Sequence, residues 1–244
     1  MTAQPLPPHP PLEEYYGDPS QQQKFVRELF DGTAEWYDSI IQMLSFGSGG
    51  RYRRDALIRA GLTEKTRLLD LACGPQPVAR SAMPIAQRIT CADPSIGMLK
   101  AGRKRARLPL VQAMGERLPF RDASFDLISI GFAMRHFADL HVVFDECRRV
   151  LAPGGRLLIM EITPPRSRIG TAVLRFHLDK VVPFYARIRS GGNKETATLL
   201  HYFWDTIEKC VPPETIMQAM RESQFEGVGR HVELGTFSEY SGVR

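Results

Sequence analysis

The stretch Arg67-Leu68-Leu69-Asp70-Leu71-Ala72-Cys73-Gly74 decides the fold: it is an apolar run carrying one acid and closing on two small residues and a glycine. It predicts a buried parallel strand that opens into a tight turn, because strands covered by helices on both faces read as near-continuous apolar runs. The carboxyl end of such a strand is where open α/β sheets bind ligands. A second short strand, Arg88-Ile89-Thr90-Cys91-Ala92, stops at Asp93. That acid lies about 20 residues beyond Gly74, the separation that suits hydrogen bonds to the two hydroxyls of a nucleoside ribose. The turn does not read GxGxxG, which weighs against nicotinamide and flavin dinucleotides.

Moving outward, Asp93 is followed by Pro94-Ser95-Ile96-Gly97-Met98-Leu99, where Ser95 can cap a new helix. Further on come Glu116 to Asp126, Phe132-Ala133-Met134-Arg135-His136 and Arg148 to Leu158, while Phe30-Asp31-Gly32-Thr33-Ala34-Glu35-Trp36-Tyr37-Asp38 precedes the first strand. In this order the motifs resemble the Rossmann-like methyltransferases that use S-adenosylmethionine, and within them the ubiquinone/menaquinone biosynthesis C-methyltransferase family. The likeness runs over roughly residues 25 to 240. It implies a doubly wound seven-stranded α/β sheet, mostly parallel, with an antiparallel C-terminal hairpin.

The alternation of apolar runs predicts strands near 67–72, 88–92, 109–112, 126–130 and 156–162, with helices near 77–86, 95–106 and 139–150 between them. Pro153-Gly154-Gly155 reads as the turn that stops one helix and starts the fifth strand. Past Glu161 the alternation breaks, and apolar residues recur at helical spacing over Arg168–Tyr185 and Glu195–Glu208, joined by the flexible Ser190-Gly191-Gly192-Asn193. A helical lid over about residues 165–210 is expected between strands five and six, its aromatics lining an apolar cavity. Strands at Val228–Leu234 and Phe237–Val243 close the chain.

Upstream, six prolines between Pro5 and Pro19 predict a mobile arm over residues 1–20, since their missing amide hydrogens defeat helix and central strand alike. Tyr15 and Tyr16 can anchor its end. The remainder, 21–244, reads as one domain. Helices over Gln21–Ser45, bent at Gly32, should pack over the sheet edge, and Gly50–Ala60 should form another that ends at Gly61. Arg51, Arg53 and Arg54 on that helix read as a solvated face.

The chain has 244 residues and a net charge of +5, with its densest basic run at Lys100–Arg107. Those cations suit the negative pole of a helix end better than a nucleic-acid patch, because no nucleic-acid module accompanies them. Cys73, Cys91, Cys147 and Cys210 show no metal spacing and read as reduced thiols. No apolar run reaches the roughly 18 residues of a membrane span. A cytoplasmic protein is expected, with room for peripheral membrane contact and for a homo-oligomer; neither nucleic acid nor metal is called for.

For the site, the resemblance implies that Asp70 orients the methionine end of S-adenosylmethionine, that Ala72 and Gly74 bring bare backbone to it, and that Asp93 takes the ribose. Pro94 and Met98 pack near adenine, Gly115 and Glu116 border its edge, and Tyr37 covers the cleft. Arg135 and His136 face the transferred methyl as catalytic candidates, Arg135 to stabilise a phenolate and His136 to take a proton; His177 and His201 are weaker ones. Two positions depart from the family pattern: Gln76 stands where a second glycine is usual, and Met114 where an acid usually accepts the adenine amino group. The expected activity is methylation of a small apolar or aromatic acceptor, preferably at carbon on a quinol-like or prenylated ring. Oxygen or nitrogen methylation of a secondary metabolite or lipid head group is the rival within the enzyme class; a non-methylating scaffold of the same fold is the rival outside it.

Overall fold

A computed structural model describes residues 5–44, 48–165, 167–190 and 194–244. Strands β1 (Arg67–Leu71), β2 (Arg88–Asp93), β3 (Leu110–Gln112), β4 (Phe125–Gly131), β5 (Leu151–Ile162), β6 (Glu226–Glu233) and β7 (Phe237–Val243) form one sheet in the order β3-β2-β1-β4-β5-β7-β6. The first five run parallel, and β7 is antiparallel to both β5 and β6. This is the expected Rossmann-like, doubly wound architecture. Because β1 leads outward to β2 on one side and has β4 on the other, the strand order reverses beside β1, where such sheets bind ligands. The largest difference in a strand boundary is at β5, which starts at Leu151, and Pro153-Gly154-Gly155 is an irregularity inside it, with Gly154 at φ +76° and the pairing to β4 shifting between Phe125 and Leu127.

The helices are α1 (Glu13–Tyr16), α2 (Gln22–Thr33), α3 (Tyr37–Leu44), α4 (Gly49–Arg59), α5 (Pro77–Ala82), α6 (Ile96–Arg103), α7 (Leu140–Val150), α8 (Arg168–Phe176), α9 (Val182–Ser190), α10 (Lys194–Glu208) and α11 (Pro213–Glu222). Successive side chains of β1 point to opposite faces. Leu68 therefore joins one core layer with α4 and α5, through Ala56, Leu57, Val78 and Ala79, while Leu69 and Leu71 join the other with α7 and α11, through Phe144 and Met220. α6 starts as expected: Ser95 Oγ accepts from the Met98 amide at 3.0 Å, and Asp31 of α2 accepts from both Ser95 Oγ and the Gly97 amide.

A third apolar cluster unites Val26, Leu29 and Ile40 of α2–α3 with Val182, Ala186, Leu199, Tyr202 and Phe203 of α9–α10. The N-terminal helices and the inserted helices thus share one core above the strand ends. Between α8 and α9 the helix continues through a π turn over His177–Val181. Gly191, Gly192 and Asn193 of the expected joint lie outside the described residues.

The proline-rich arm lies against the body from Pro5 onward. Leu6 O accepts from the Leu140 amide at 3.0 Å and Pro8 O from the Val211 amide at 2.8 Å, while His9 and Leu12 are buried. An extended proline segment lacks amide donors but keeps its carbonyls, and the first amides of a helix such as α7 have no partner within it. At its end Tyr15 donates to Asp205 of α10 at 2.5 Å. Among the described residues no helix is long and apolar enough to cross a membrane.

Candidate active site

Two adjoining cavities open at the carboxyl ends of β1, β2 and β4. The first, about 310 Å³, is bounded by Asp93, Ser95, Met98, Met114, Gly115 and Glu116. The second, about 70 Å³, is bounded by Ile41, Arg53, Arg135, Leu178, Phe203 and Ile207. Tyr37, Ala72, Gly74, Gly131 and Phe132 belong to both walls, so the two cavities meet at the turns that follow β1 and β4. Those turns are strained: Ala72, Gln76 and Phe132 hold φ of +54°, +67° and +61°, a region that residues with a Cβ rarely adopt.

Most of the residues expected to bind the cofactor come together in the first cavity: Tyr37, Ala72, Gly74, Asp93, Pro94, Met98, Gly115 and Glu116 all line it. Asp93 accepts the Gly74 amide on one oxygen and the Ser95 amide on the other, both at 2.8 Å. Each oxygen keeps a second lone pair. Burial raises the Asp93 pKa to about 6, against those two amides, which pull it down. Glu116 is held by the Ala138 amide and the Gln23 side chain, each at 3.2 Å. Gly115 fits only as glycine, because a Cβ there would meet Phe137 at 2.9 Å.

Asp70 lies apart from both cavities. Fully buried, it accepts from the Ala79 amide and from Ser129 Oγ, each at 3.0 Å, tying β1 to the start of α5 and to β4. Burial raises its pKa to about 7. Any influence of Asp70 on a ligand therefore passes through the shape of the turn.

Gln76 does not crowd the cavity as a side chain in place of glycine was expected to. Its backbone takes the left-handed conformation a glycine would take, while its fully buried amide points back toward Gly102 of α6. Met114, by contrast, does face the first cavity.

Arg135 and His136 sit in one 3-10 turn, Met134–His136, yet face different cavities. Arg135 arrives with its own counter-ion: Nη1 donates to Glu161 at 2.5 Å, Nε donates to Thr206 Oγ1 at 3.1 Å, and the guanidinium lies 5.3 Å from the Phe203 ring centre. His136 lines the first cavity, stacked on Tyr202 and Phe203 with Phe30 at its edge, and neither ring nitrogen finds a partner among the described residues. Burial, reinforced by Arg135, holds its pKa well below the ordinary value, so the ring is neutral at pH 7. His177 and His201 line neither cavity.

Arg53 departs most from expectation. Read as part of a solvated face, it is 6% exposed and lies in the wall of the second cavity. The buried positions of α4 and its end are Gly49, Tyr52, Arg53, Ala56, Leu57 and Ala60. That spacing places Arg53 on the inward stripe, a signal the run of arginines concealed. Phe203 is one of the lid aromatics expected to line a cavity and does so, whereas Phe30, at helical spacing and indistinguishable from core, and Phe132, in the turn after β4, were missed as wall residues.

The residues of the first cavity fit S-adenosylmethionine: one acid with free acceptor capacity, a buried thioether at Met98, and approaches made by backbone. The profile of the ubiE/COQ5 methyltransferase family matches residues 18–241. The chain is 31% identical over 242 residues to a demethylmenaquinone methyltransferase of Deinococcus radiodurans, with 96% of each chain covered. It is 33% identical over 229 residues to the ubiquinone/menaquinone biosynthesis C-methyltransferase UbiE of Syntrophotalea carbinolica, covering 90% of this chain and 94% of the relative. A solved S-adenosylmethionine-dependent methyltransferase of Thermotoga maritima superposes with a TM-score of 0.63 at 18% identity, over 88% of this chain and 98% of the other, and shows the same fold. By the extent of these matches the chain belongs to the ubiE/COQ5 methyltransferase family, whose members are methyltransferases that use S-adenosylmethionine.

Proposed function

We propose that this methyltransferase places a methyl group on a ring carbon of a small, quinol-like and preferably prenylated acceptor. The observation that carries the reading is the apolar second cavity meeting the first at Tyr37, Ala72, Gly74, Gly131 and Phe132. Bound S-adenosylmethionine supplies an activated methyl at its sulfonium. The chain's own part is to hold donor and acceptor in line at near contact and to keep water out. Carbon methylation is favoured over oxygen or nitrogen methylation by the likeness to proteins named as demethylmenaquinone and ubiquinone/menaquinone C-methyltransferases.

In this reading Asp93 accepts the ribose hydroxyls, Met98 and Pro94 pack against adenine, and Gly115 offers backbone to the ring edge beside Glu116. Tyr37 closes the junction, while Asp70 fixes the turn that carries Ala72 and Gly74. His136, neutral at pH 7, accepts a hydrogen bond from an acceptor hydroxyl through a free ring nitrogen. Arg135, neutralised by Glu161, shapes the wall and leaves phenolate stabilisation to another cation. Residues 165–210 serve as the lid over a single domain of residues 21–244.

The lid also suggests how an apolar acceptor is reached from the cytoplasmic side of a membrane. Ile169, Val173, Phe176 and Phe184 form an exposed stripe along α8 and α9, with exposed Arg168, Arg175, Lys180 and Arg187 beside it. Apolar surface rimmed by cations suits an anionic bilayer. Incubation with carbon-13 methyl donor and a reduced prenylated quinol, read by NMR, decides the main proposal. A new signal from a methyl on ring carbon is expected; one from a methoxy carbon gives the reading to the oxygen rival, and binding of donor without transfer to any ring acceptor gives it to the scaffold.

A further inference from the structure

The two buried guanidiniums at the second cavity differ in one respect. Arg135 is matched by Glu161, whereas Arg53 has no carboxylate in contact among the described residues. The acids whose fields reach Arg53 are engaged elsewhere: Asp38 pairs with Arg80 at 3.4 Å and with Arg105 at 3.0 Å, and Asp70 accepts from Ala79 and Ser129. Tyr37 also reaches it, but burial keeps that phenol protonated far above neutral pH. Arg53 Nε is buried without a hydrogen-bond partner among the described residues, and the guanidinium centre stands 5.5 Å from the centre of the Phe132 ring in the shared wall. A cation–π contact offsets only part of the cost of burying a charge. The rest calls for an anion delivered by a ligand.

We infer that Arg53 is the anion-recognising group of the acceptor site, and that it binds an ionised ring oxygen of the acceptor at the junction of the two cavities. The inference rests on the ring-acceptor reading above and names the ionisation state that this site selects. Apart from Tyr37 and the Arg135 guanidinium, which Glu161 neutralises, the second cavity is framed mainly by apolar side chains such as Ile41, Leu178, Ile207, Phe132 and Phe237, so the Arg53 guanidinium acts in a medium of low polarity where a charge-assisted hydrogen bond is strong. Holding the ring as its oxyanion raises electron density at the adjoining carbons, which is what a methyl acceptor at carbon needs. Arg53 is thus a specificity-determining residue, selecting aromatic or quinonoid rings with an acidic hydroxyl over rings without one.

The test uses two ring probes, the coloured acid 2-hydroxy-1,4-naphthoquinone and its non-ionisable counterpart 2-methoxy-1,4-naphthoquinone. Each is titrated by absorbance into the full chain saturated with S-adenosylhomocysteine. At pH 8, where the hydroxy probe is an anion, wild type is expected to prefer it to the methoxy probe. Arg53→Met should weaken the hydroxy probe by on the order of 10- to 100-fold while leaving the methoxy probe within twofold, and Arg53→Lys should keep part of the preference. Since no partner is lost, thermal unfolding of Arg53→Met should occur at or above the wild-type temperature. If Arg53→Met does not fold, Arg53→Gln and Arg53→Lys carry the comparison, with loss of the preference expected in the first alone. Equal weakening of both probes, or of neither, overturns the anion site. Wild type binding both probes equally overturns it too, while wild type binding neither removes the ring-acceptor reading itself.

Discussion

The two cavities, the first proposed for the cofactor and the second for the acceptor, share a wall but are built on different terms. In the first, the residues proposed to hold the cofactor offer backbone and short side chains at strand ends: Ala72 and Gly74 after β1, Asp93 ending β2, Gly115 in the loop between β3 and β4. In the second they come from long side chains on elements far apart in the chain, Arg53 from α4, Leu178 from the turn between α8 and α9, Phe203 and Ile207 from α10, Phe237 from β7. A ligand bound through strand-end backbone needs the same local geometry whatever the acceptor, whereas an acceptor is recognised by side chains that can vary freely. The first cavity should therefore tolerate little change, and the second should reveal what is methylated.

The largest predicted difference between the two arginines is in stability. Glu161→Ala leaves the Arg135 guanidinium buried without its counter-charge, which should cost about 3–5 kcal/mol in urea unfolding. Replacing the pair together, Glu161→Leu with Arg135→Met, should recover most of that loss. Arg53→Met, where no partner is orphaned, should show none. A comparable loss at both arginines would erase the distinction between a paired and a waiting cation.

Next in size is the ribose contact. Asp93→Ala should weaken S-adenosylhomocysteine by about 1–3 kcal/mol, the range for a hydrogen bond to a charged group, and leave the ring probes unaffected. The ionised carboxylate is the better acceptor, and burial has moved its pKa up to about 6. Affinity for S-adenosylhomocysteine should accordingly be full near pH 8 and fall as the pH drops through about 6; Asp93→Asn should flatten that profile in calorimetry. His136 makes a separate check, on stability rather than affinity. Its folded-state pKa is depressed, so the stability it contributes is complete above about 6.5 and declines as the pH falls below that, because the unfolded ring then takes a proton the folded one refuses. His136→Phe should reduce that decline.

How far the sequence was legible follows the same division. The strand run Arg67–Leu71, the cap at Ser95 and the acid at Asp93 could be read because a buried strand, a helix start and a strand end each impose a local residue pattern. The resemblance and its position put Asp70 at the methionine end of the cofactor, acting through backbone and water contacts, and sequence cannot tell a carboxylate lining a cavity from one that ties Ala79 to Ser129 behind it. Arg53 was illegible for the opposite reason: an arginine among arginines looks solvated until a helix face is shown to turn inward. The shared core of α2–α3 with α9–α10 joins segments about 150 residues apart, and no local pattern announces such a contact.

Smaller effects sharpen the two departures from the family pattern. Met114→Asp brings an acceptor to the first cavity and should tighten S-adenosylhomocysteine by about 0.5–1.5 kcal/mol. Gln76→Gly should leave affinity within twofold, because the side chain it removes faces Gly102 and not the cavity. A large gain from Gln76→Gly would mean that the amide reaches the ligand after all.

The account stands on two cavities that are distinct, adjacent and filled together. The most direct test is to titrate 2-hydroxy-1,4-naphthoquinone into the protein with and without saturating S-adenosylhomocysteine. The account predicts a ternary complex, with ring affinity unchanged or raised when the first cavity is full. Competition between the two, with ring affinity falling in proportion to S-adenosylhomocysteine occupancy, would mean a single shared site and would contradict it.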